Sequence, residues 1–199
     1  RWLLRCQPTH RGVIQGTPAD LDQTPLPDYE GIDFNKYFGS LPPSAKPAMY
    51  LMASRGCPFQ CFFCSKSVYG SHVRFKSPET VMAELRQLQR MGMREVFFQD
   101  DTLNLNHPWF DEILDRILSE KLNMSFRAPF RANSKLVSSA LLKKAKKAGF
   151  WLIFYGVESG NQTMLDNMRK GLKLGEISRA VAMTHEVGLK TEASFIIGL

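Results

Sequence analysis

From about Lys46 onward, the apolar positions alternate between short continuous runs and longer stripes at helical spacing. "AMYLMAS" is a short apolar run, the pattern of a buried strand. "SPETVMAELRQLQRMG" places Val81, Leu85 and Leu88 on one helical face. Ser77 stands at its N-cap, Pro78 at the first helical position, and Gly92 ends it. "REVFFQ" is a second strand. "HPWFDEILDRILSEKL" is a second helix, with a stripe of Phe110, Ile113, Leu114, Ile117 and Leu118. "MSFRAPFRAN" contains a third strand, and "SSALLKKAKKAG" a third helix closed by Gly149. "FWLIFYGV" is a fourth strand that enters a helix start at "ESGNQTMLDNM". "GEISRAVAMTHEVG" is a further helix with Ile177, Val181 and Thr184 inward. "LKTEASFIIGL" is a fifth strand, closing on an apolar run typical of a buried one.

Strands that alternate with helices predict a parallel sheet, because each crossover needs the length of a helix. Such a sheet either opens into a doubly wound fold or curls into a barrel. In both, ligand chemistry gathers at the C-terminal ends of the strands. Those ends carry a cysteine loop, "QDDTLN", "RAN", "GVESG" and "GL". A doubly wound sheet concentrates its chemistry in one crevice. Polar or glycine chemistry at every strand end favours a partial TIM-like (β/α) barrel of parallel strands, truncated after the fifth.

Residues 1–47 have another character. Seven of the eleven prolines lie there, and neither strand nor helix periodicity is sustained. Proline interrupts both ladders, so this segment reads as an arm or linker from an upstream domain, with residues 48–199 as the core domain. The chain lacks an initial Met and stops on an apolar run, which reads as a segment cut at both ends. Hydrophobic residues make up 44% and charged residues 23% of the 199, enough apolar content for a packed core. No apolar run reaches the roughly 18 residues of a membrane span. A formal net charge of +7 favours an anionic small ligand over nucleic acid, although "LLKKAKKAGF" offers a local basic helix face.

Four cysteines are present: Cys6, Cys57, Cys61 and Cys64. That is too few and too clustered for a disulfide framework, and points to a reducing, cytoplasmic compartment. "RGCPFQCFFCSKS" spaces three of them C-x3-C-x2-C. A tetrahedral structural zinc site needs four ligands; His72 or Cys6 would have to complete it. A four-iron cluster with three thiolates instead leaves one iron open to a cofactor or substrate. Gly56 and Pro58 shape the turn there, where backbone amides can face cluster sulfides. Cys6 reads as a free thiol. His10, His72, His107 and His185 are scattered and are assigned no ligand role.

On "SRGCPFQCFFCS", following the first strand of a parallel barrel, the chain resembles the radical S-adenosylmethionine (SAM) enzymes. Their motif is C-x3-C-x2-C with an aromatic before the last cysteine, here Phe63. The resemblance covers Ala48 to Leu199. It implies that Cys57, Cys61 and Cys64 ligate a [4Fe–4S] cluster whose fourth iron is chelated by SAM. Reductive cleavage then yields methionine and a 5′-deoxyadenosyl radical that abstracts hydrogen. The resemblance also implies cofactor contacts. Asp100 or Asp101 stands where the family often has "GGE" and would receive the SAM ammonium; the plain alternative is a loop or capping aspartate. Glu158, between glycines, would meet the ribose hydroxyls or the ammonium. Arg131 and Asn133 are SAM or substrate contacts, or serve structure, Arg131 as one side of an ion pair. "SFIIGL" resembles the family's G-x-I-x-G with Ser194 in place of the first glycine, implying an adenine contact at Ile196 with room made by Gly198.

"GVESGNQTMLDNMRKG", "FFQDD" and the arm's "DLDQTPLPDYEG" resemble the subgroup with an N-terminal cobalamin-binding domain, which includes methyltransferases and ring-forming enzymes acting on small molecules. A reducing partner such as flavodoxin or ferredoxin is implied. Two other readings stay open. "GSHVRFKSPE" and the basic charge suit a radical SAM methylthiotransferase acting on tRNA. A non-enzymatic zinc module binding nucleic acid would use the same cysteines.

Overall fold

The computed structural model of the protein describes residues 19–29, 31–34 and 44–198. Cys6 and His10 lie outside them. Five strands form one parallel sheet: β1 (Ala48–Leu51), β4 (Glu95–Phe98), β5 (Ser125–Phe130), β6 (Phe150–Glu158) and β7 (Lys190–Phe195). Two short strands, β2 (Ser54–Arg55) and β3 (Arg74–Phe75), pair antiparallel beside it. The helices are α1 (Pro78–Arg90), α2 (His107–Glu120), α3 (Ser139–Lys147), α4 (Gln162–Asn167) and α5 (Leu174–Glu186).

The sheet order is β1-β4-β5-β6-β7, each strand beside the next parallel one in the chain. The order never reverses. A doubly wound sheet owes its crevice to such a reversal, so the described strands form part of a barrel wall. Val96, Phe98, Phe126, Ala128, Ile153 and Tyr155 are buried in a core with Val81, Leu85, Leu88, Phe110, Ile113, Leu114 and Ile117 of the helices. Phe98, Phe110, Phe126 and Phe150 meet ring to ring, with centroids 5.3 to 6.0 Å apart. Ser77 caps α1 by accepting from Thr80 N at 3.2 Å, with Pro78 in its first turn. Among the described residues no helix is long and apolar enough to cross a membrane.

The described part of the arm is not a free linker. Leu21 is buried. Asp22 Oδ1 accepts from Ser77 N at 2.7 Å, Arg74 Nη1 donates to the Ala19 carbonyl at 2.9 Å, and Gln87 Nε2 donates to the Pro27 carbonyl at 2.9 Å. The segment therefore lies along α1 and β3.

The fifth-strand expectation needs correction. β7 pairs with β6 alone among the described strands. It is not a buried strand: Phe195 is 60% exposed and Ile197, just beyond it, 96% exposed. Pairing on one side leaves backbone groups open at the edge, and side chains standing off the sheet face stay exposed where no element packs over them.

Candidate active site

The two-residue strands β2 and β3 matter more than their length suggests. Ser54 pairs with Phe75 and Arg55 with Arg74, so the hairpin closes the neck of a loop running from 56 to 73. Gly56 sits at the neck with φ +98°, a left-handed conformation that glycine adopts without a steric cost. A Cβ there would lie 2.4 Å from the His72 carbonyl oxygen, so the loop crosses itself only because the side chain is absent. Cys57 N donates to the Gly70 carbonyl at 3.3 Å, and Cys64 N to that of Cys61 at 3.2 Å. Lys66 Nζ donates to the Phe59 carbonyl.

The loop arches over the C-terminal ends of β4, β5 and β6, enclosing a cavity of about 200 Å³. Cys57, Cys61, Phe63 and Cys64 line it from above; Asp101, Arg131, Phe154, Gly156, Glu158 and Lys170 line it from the barrel. The structure thus brings together the three clustered cysteines with Phe63, Asp101, Arg131 and Glu158. Partial burial pushes the Cys64 thiol up, and the neighbouring thiols of Cys57 and Cys61 and the Asp101 carboxylate add to that, against the opposing pull of Lys66. Among the described residues, no three His, Cys, Asp or Glu side chains converge as they would around a single ion. A four-iron cluster asks for a different arrangement, one thiolate for each of three irons. Three thiols on one loop, bordering one cavity, fit that donor set.

Glu158 ends β6 at φ +69°, which is uncommon for any residue but glycine and marks a backbone held by its surroundings. Its carboxylate is buried and gripped on both sides. Lys170 Nζ reaches Oε1 at 3.0 Å, and Ser194 Oγ donates to Oε2 at 3.1 Å. Two residues earlier on the same strand face, a Cβ on Gly156 would stand 2.7 Å from Glu158 Oε1 and 3.1 Å from Lys170 Nζ. Glycine at 156 therefore makes the room in which the pair forms. Lys170 is buried and also lies 5.6 Å from the Phe63 ring centroid.

Four expected residues sit elsewhere. Asp100 turns away from the cavity: Oδ1 accepts from Ser54 Oγ at 2.5 Å and Oδ2 from Ala53 N at 3.1 Å. Burial pushes its carboxyl up to about 6, against the hydrogen bonds from Ser54 and Ala53 and the nearby charge of Lys76. Adjacent residues of an extended chain point to opposite sides, so Asp101 alone of the pair borders the cavity. Ile196 N donates to the Glu158 carbonyl at 3.0 Å, but its side chain, like Gly198, lies outside the cavity lining. Asn133 Oδ1 accepts from Lys135 N at 2.9 Å and shapes the turn after β5. Conversely, Lys170 and the pairing role of Ser194 were not legible in the sequence. A lysine twelve residues after Glu158 belongs to no local period.

A parallel barrel wall whose strand ends face a thiol-bearing loop defines the class of protein. The profile of the Radical SAM superfamily matches residues 51–199, and the chain belongs to that superfamily. Its enzymes use a [4Fe–4S] cluster and SAM. An uncharacterized methyltransferase of Pyrococcus horikoshii is 34% identical over 181 residues, covering 90% of this chain and 38% of that protein. The anaerobic magnesium-protoporphyrin IX monomethyl ester cyclase of Rubrivivax gelatinosus is 29% identical over 194 residues, covering 94% of this chain and 34% of that protein. The radical SAM methyltransferase of Kitasatospora setae, solved with cobalamin and a [4Fe–4S] cluster bound, shares the fold at a TM-score of 0.69 and 15% identity, over 76% of this chain and 31% of that one. The chain thus spans little more than a third of the curated relatives' length.

Proposed function

We propose that this chain is the cluster-binding part of a radical SAM enzyme that methylates a small molecule or closes a ring on one. The observation that carries the reading is a single cavity bordered by three thiols on one side and a buried carboxylate–ammonium pair on the other. Cys57, Cys61 and Cys64 would hold the cluster. Bound there together with SAM, the cluster would supply one-electron cleavage of SAM to methionine and a 5′-deoxyadenosyl radical.

The residues of the chain then do the holding. SAM carries a carboxylate, an ammonium and ribose hydroxyls. Lys170 offers a buried ammonium to the carboxylate. Glu158 offers its carboxylate to the ammonium or a ribose hydroxyl, while Asp101 stands at the rim for the ammonium. The Phe63 ring forms part of the cavity wall beside the last cysteine. Positioning of this kind supplies much of the rate in a reaction whose chemistry belongs to the cofactor. Asp100, Ile196 and Gly198 have no ligand role in this reading.

The kinship with a methyltransferase and a cyclase supports the reaction class. An upstream cobalamin-binding domain, joined through the arm, belongs to the same reading, as does a one-electron donor of the flavodoxin or ferredoxin kind. The unpaired Cys57, Cys61 and Cys64 suit a reducing, cytoplasmic compartment. The test is anoxic reconstitution of the full-length protein. Close to four irons per chain and 5′-deoxyadenosine formed from SAM under dithionite are expected; zinc in place of iron, or no cleavage, would overturn it.

A further inference from the structure

Arg131 lines the cavity and is also held by the cysteine loop and the turn after α4. The residue is buried at the end of β5. Its guanidinium carbon lies 3.7 Å from the ring centroid of Phe59, in the cysteine loop. Its Nη2 donates to the Lys170 carbonyl, in the turn after α4. Its backbone N–H donates to Asn104 Oδ1 at 2.9 Å, and Asn104 Nδ2 donates back to the Arg131 carbonyl at 3.2 Å. Its Nε is enclosed and meets no partner among the described residues. A second tie runs beside the first: Phe62 N donates to the Met168 carbonyl at 2.8 Å. The turn Met168–Gly171, with φ +51° at Arg169 and +63° at Gly171, is thus fastened to the cysteine loop from two directions.

We propose that Arg131 is a positioning residue. Stacked on Phe59 and bonded to the Lys170 carbonyl, it sets the height of the cysteine loop above the Glu158–Lys170 pair. It thereby sets the separation between the cluster and the groups that hold SAM. This rests on the reading that SAM binds in this cavity. A guanidinium suits the task because its flat face stacks while its edge donates; a lysine ammonium has no such plane.

The experiment is a double-mutant cycle in the full-length, anoxically reconstituted protein. Iron content, SAM affinity and the change that SAM causes in the spectrum of the reduced cluster are measured for Arg131→Lys, Phe59→Leu and the two combined. Each single change is expected to keep the iron and to weaken SAM binding about tenfold, from loss of one cation–π contact. The combination should be no worse than the weaker single variant, because each removes the same stack. Phe59→Tyr, which keeps the ring, should behave as wild type. Losses that multiply in the double variant would overturn the proposal. So would a Phe59→Leu protein that binds SAM normally while Arg131→Lys does not, since Arg131 would then act by direct contact. Iron loss shared by Arg131→Lys and Phe59→Leu but not Phe59→Tyr also supports the stack; iron loss in Arg131→Lys alone opposes it. Failure of the wild type to take up cluster or SAM would instead overturn the functional reading itself.

Discussion

The Glu158 carboxylate and the Lys170 ammonium form a buried ion pair, Oε1 to Nζ 3.0 Å, facing the three-cysteine loop. One comes from the end of β6, the other from the turn after α4. Burying both charges is unfavourable unless each satisfies the other, and removing one leaves its partner stranded. The pair stands beside the thiols, where a zwitterionic ligand can exchange charges with it.

Glu158→Gln keeps the size of the side chain and removes its charge. SAM affinity should fall on the order of ten- to a hundred-fold, as expected for a lost charge-assisted hydrogen bond. Iron content should be unchanged, because no cluster ligand is altered. Gly156→Ala should weaken SAM in the same direction, since its Cβ would press on Glu158 Oε1 at 2.7 Å. Equilibrium binding with iron assayed in parallel checks both; normal affinity in both variants would reduce the pair to a structural feature.

The two adjacent aspartates should separate cleanly. Asp100 has a folded value of about 6, above the ordinary 3.8. A raised carboxyl favours the folded state when protonated. Its contribution is therefore fully present below about pH 4, declines as pH rises to about 6, and stays level above that. The decline amounts to about 3 kcal/mol. Asp100→Asn should remove that decline, seen as a denaturation midpoint that falls less between about pH 4 and 6 than the wild type's, with SAM affinity unaltered. Asp101→Asn should leave the pH dependence in place and weaken SAM. The reverse assignment of effects would show that the cavity faces the other aspartate.

Cys57→Ala, Cys61→Ala and Cys64→Ala should each abolish the broad iron–sulfur absorption of the reconstituted protein, because a methyl group cannot replace a thiolate ligand. Cys6→Ala should retain it. A Cys6 variant without iron would reassign the ligand set.

Two glycines of the cysteine loop test its neck. Gly70 has φ +74° and nothing within 4 Å of a built Cβ, so Gly70→Ala should cost about 1 kcal/mol from backbone conformation alone and keep its cluster. Gly56→Ala adds a clash at 2.4 Å with the His72 carbonyl oxygen. It should cost clearly more and lower iron occupancy. Thermal unfolding and iron assay distinguish them; equal effects would mean that the neck has slack.

Much of this protein was legible in local pattern. Period and caps marked the five parallel strands and their crossover helices, from Val81, Leu85 and Leu88 on α1 to Thr184 on α5. The spacing of Cys57, Cys61 and Cys64 raised the expectation of a cluster loop, because three candidate ligands on one loop are a local matter. Tertiary structure decided the rest. Strand-end chemistry leaned toward a barrel, but the unreversed strand order decided between a barrel wall and a doubly wound sheet, since the same alternation serves both. Only packing turned Asp100 toward Ser54 and left Asp101 at the cavity, and only it joined Lys170 to Glu158 and Arg131 to Phe59. These partners lie 12 and 72 residues apart. Periodicity records which face of an element is buried. Which buried faces come to share a cavity depends on how the elements pack.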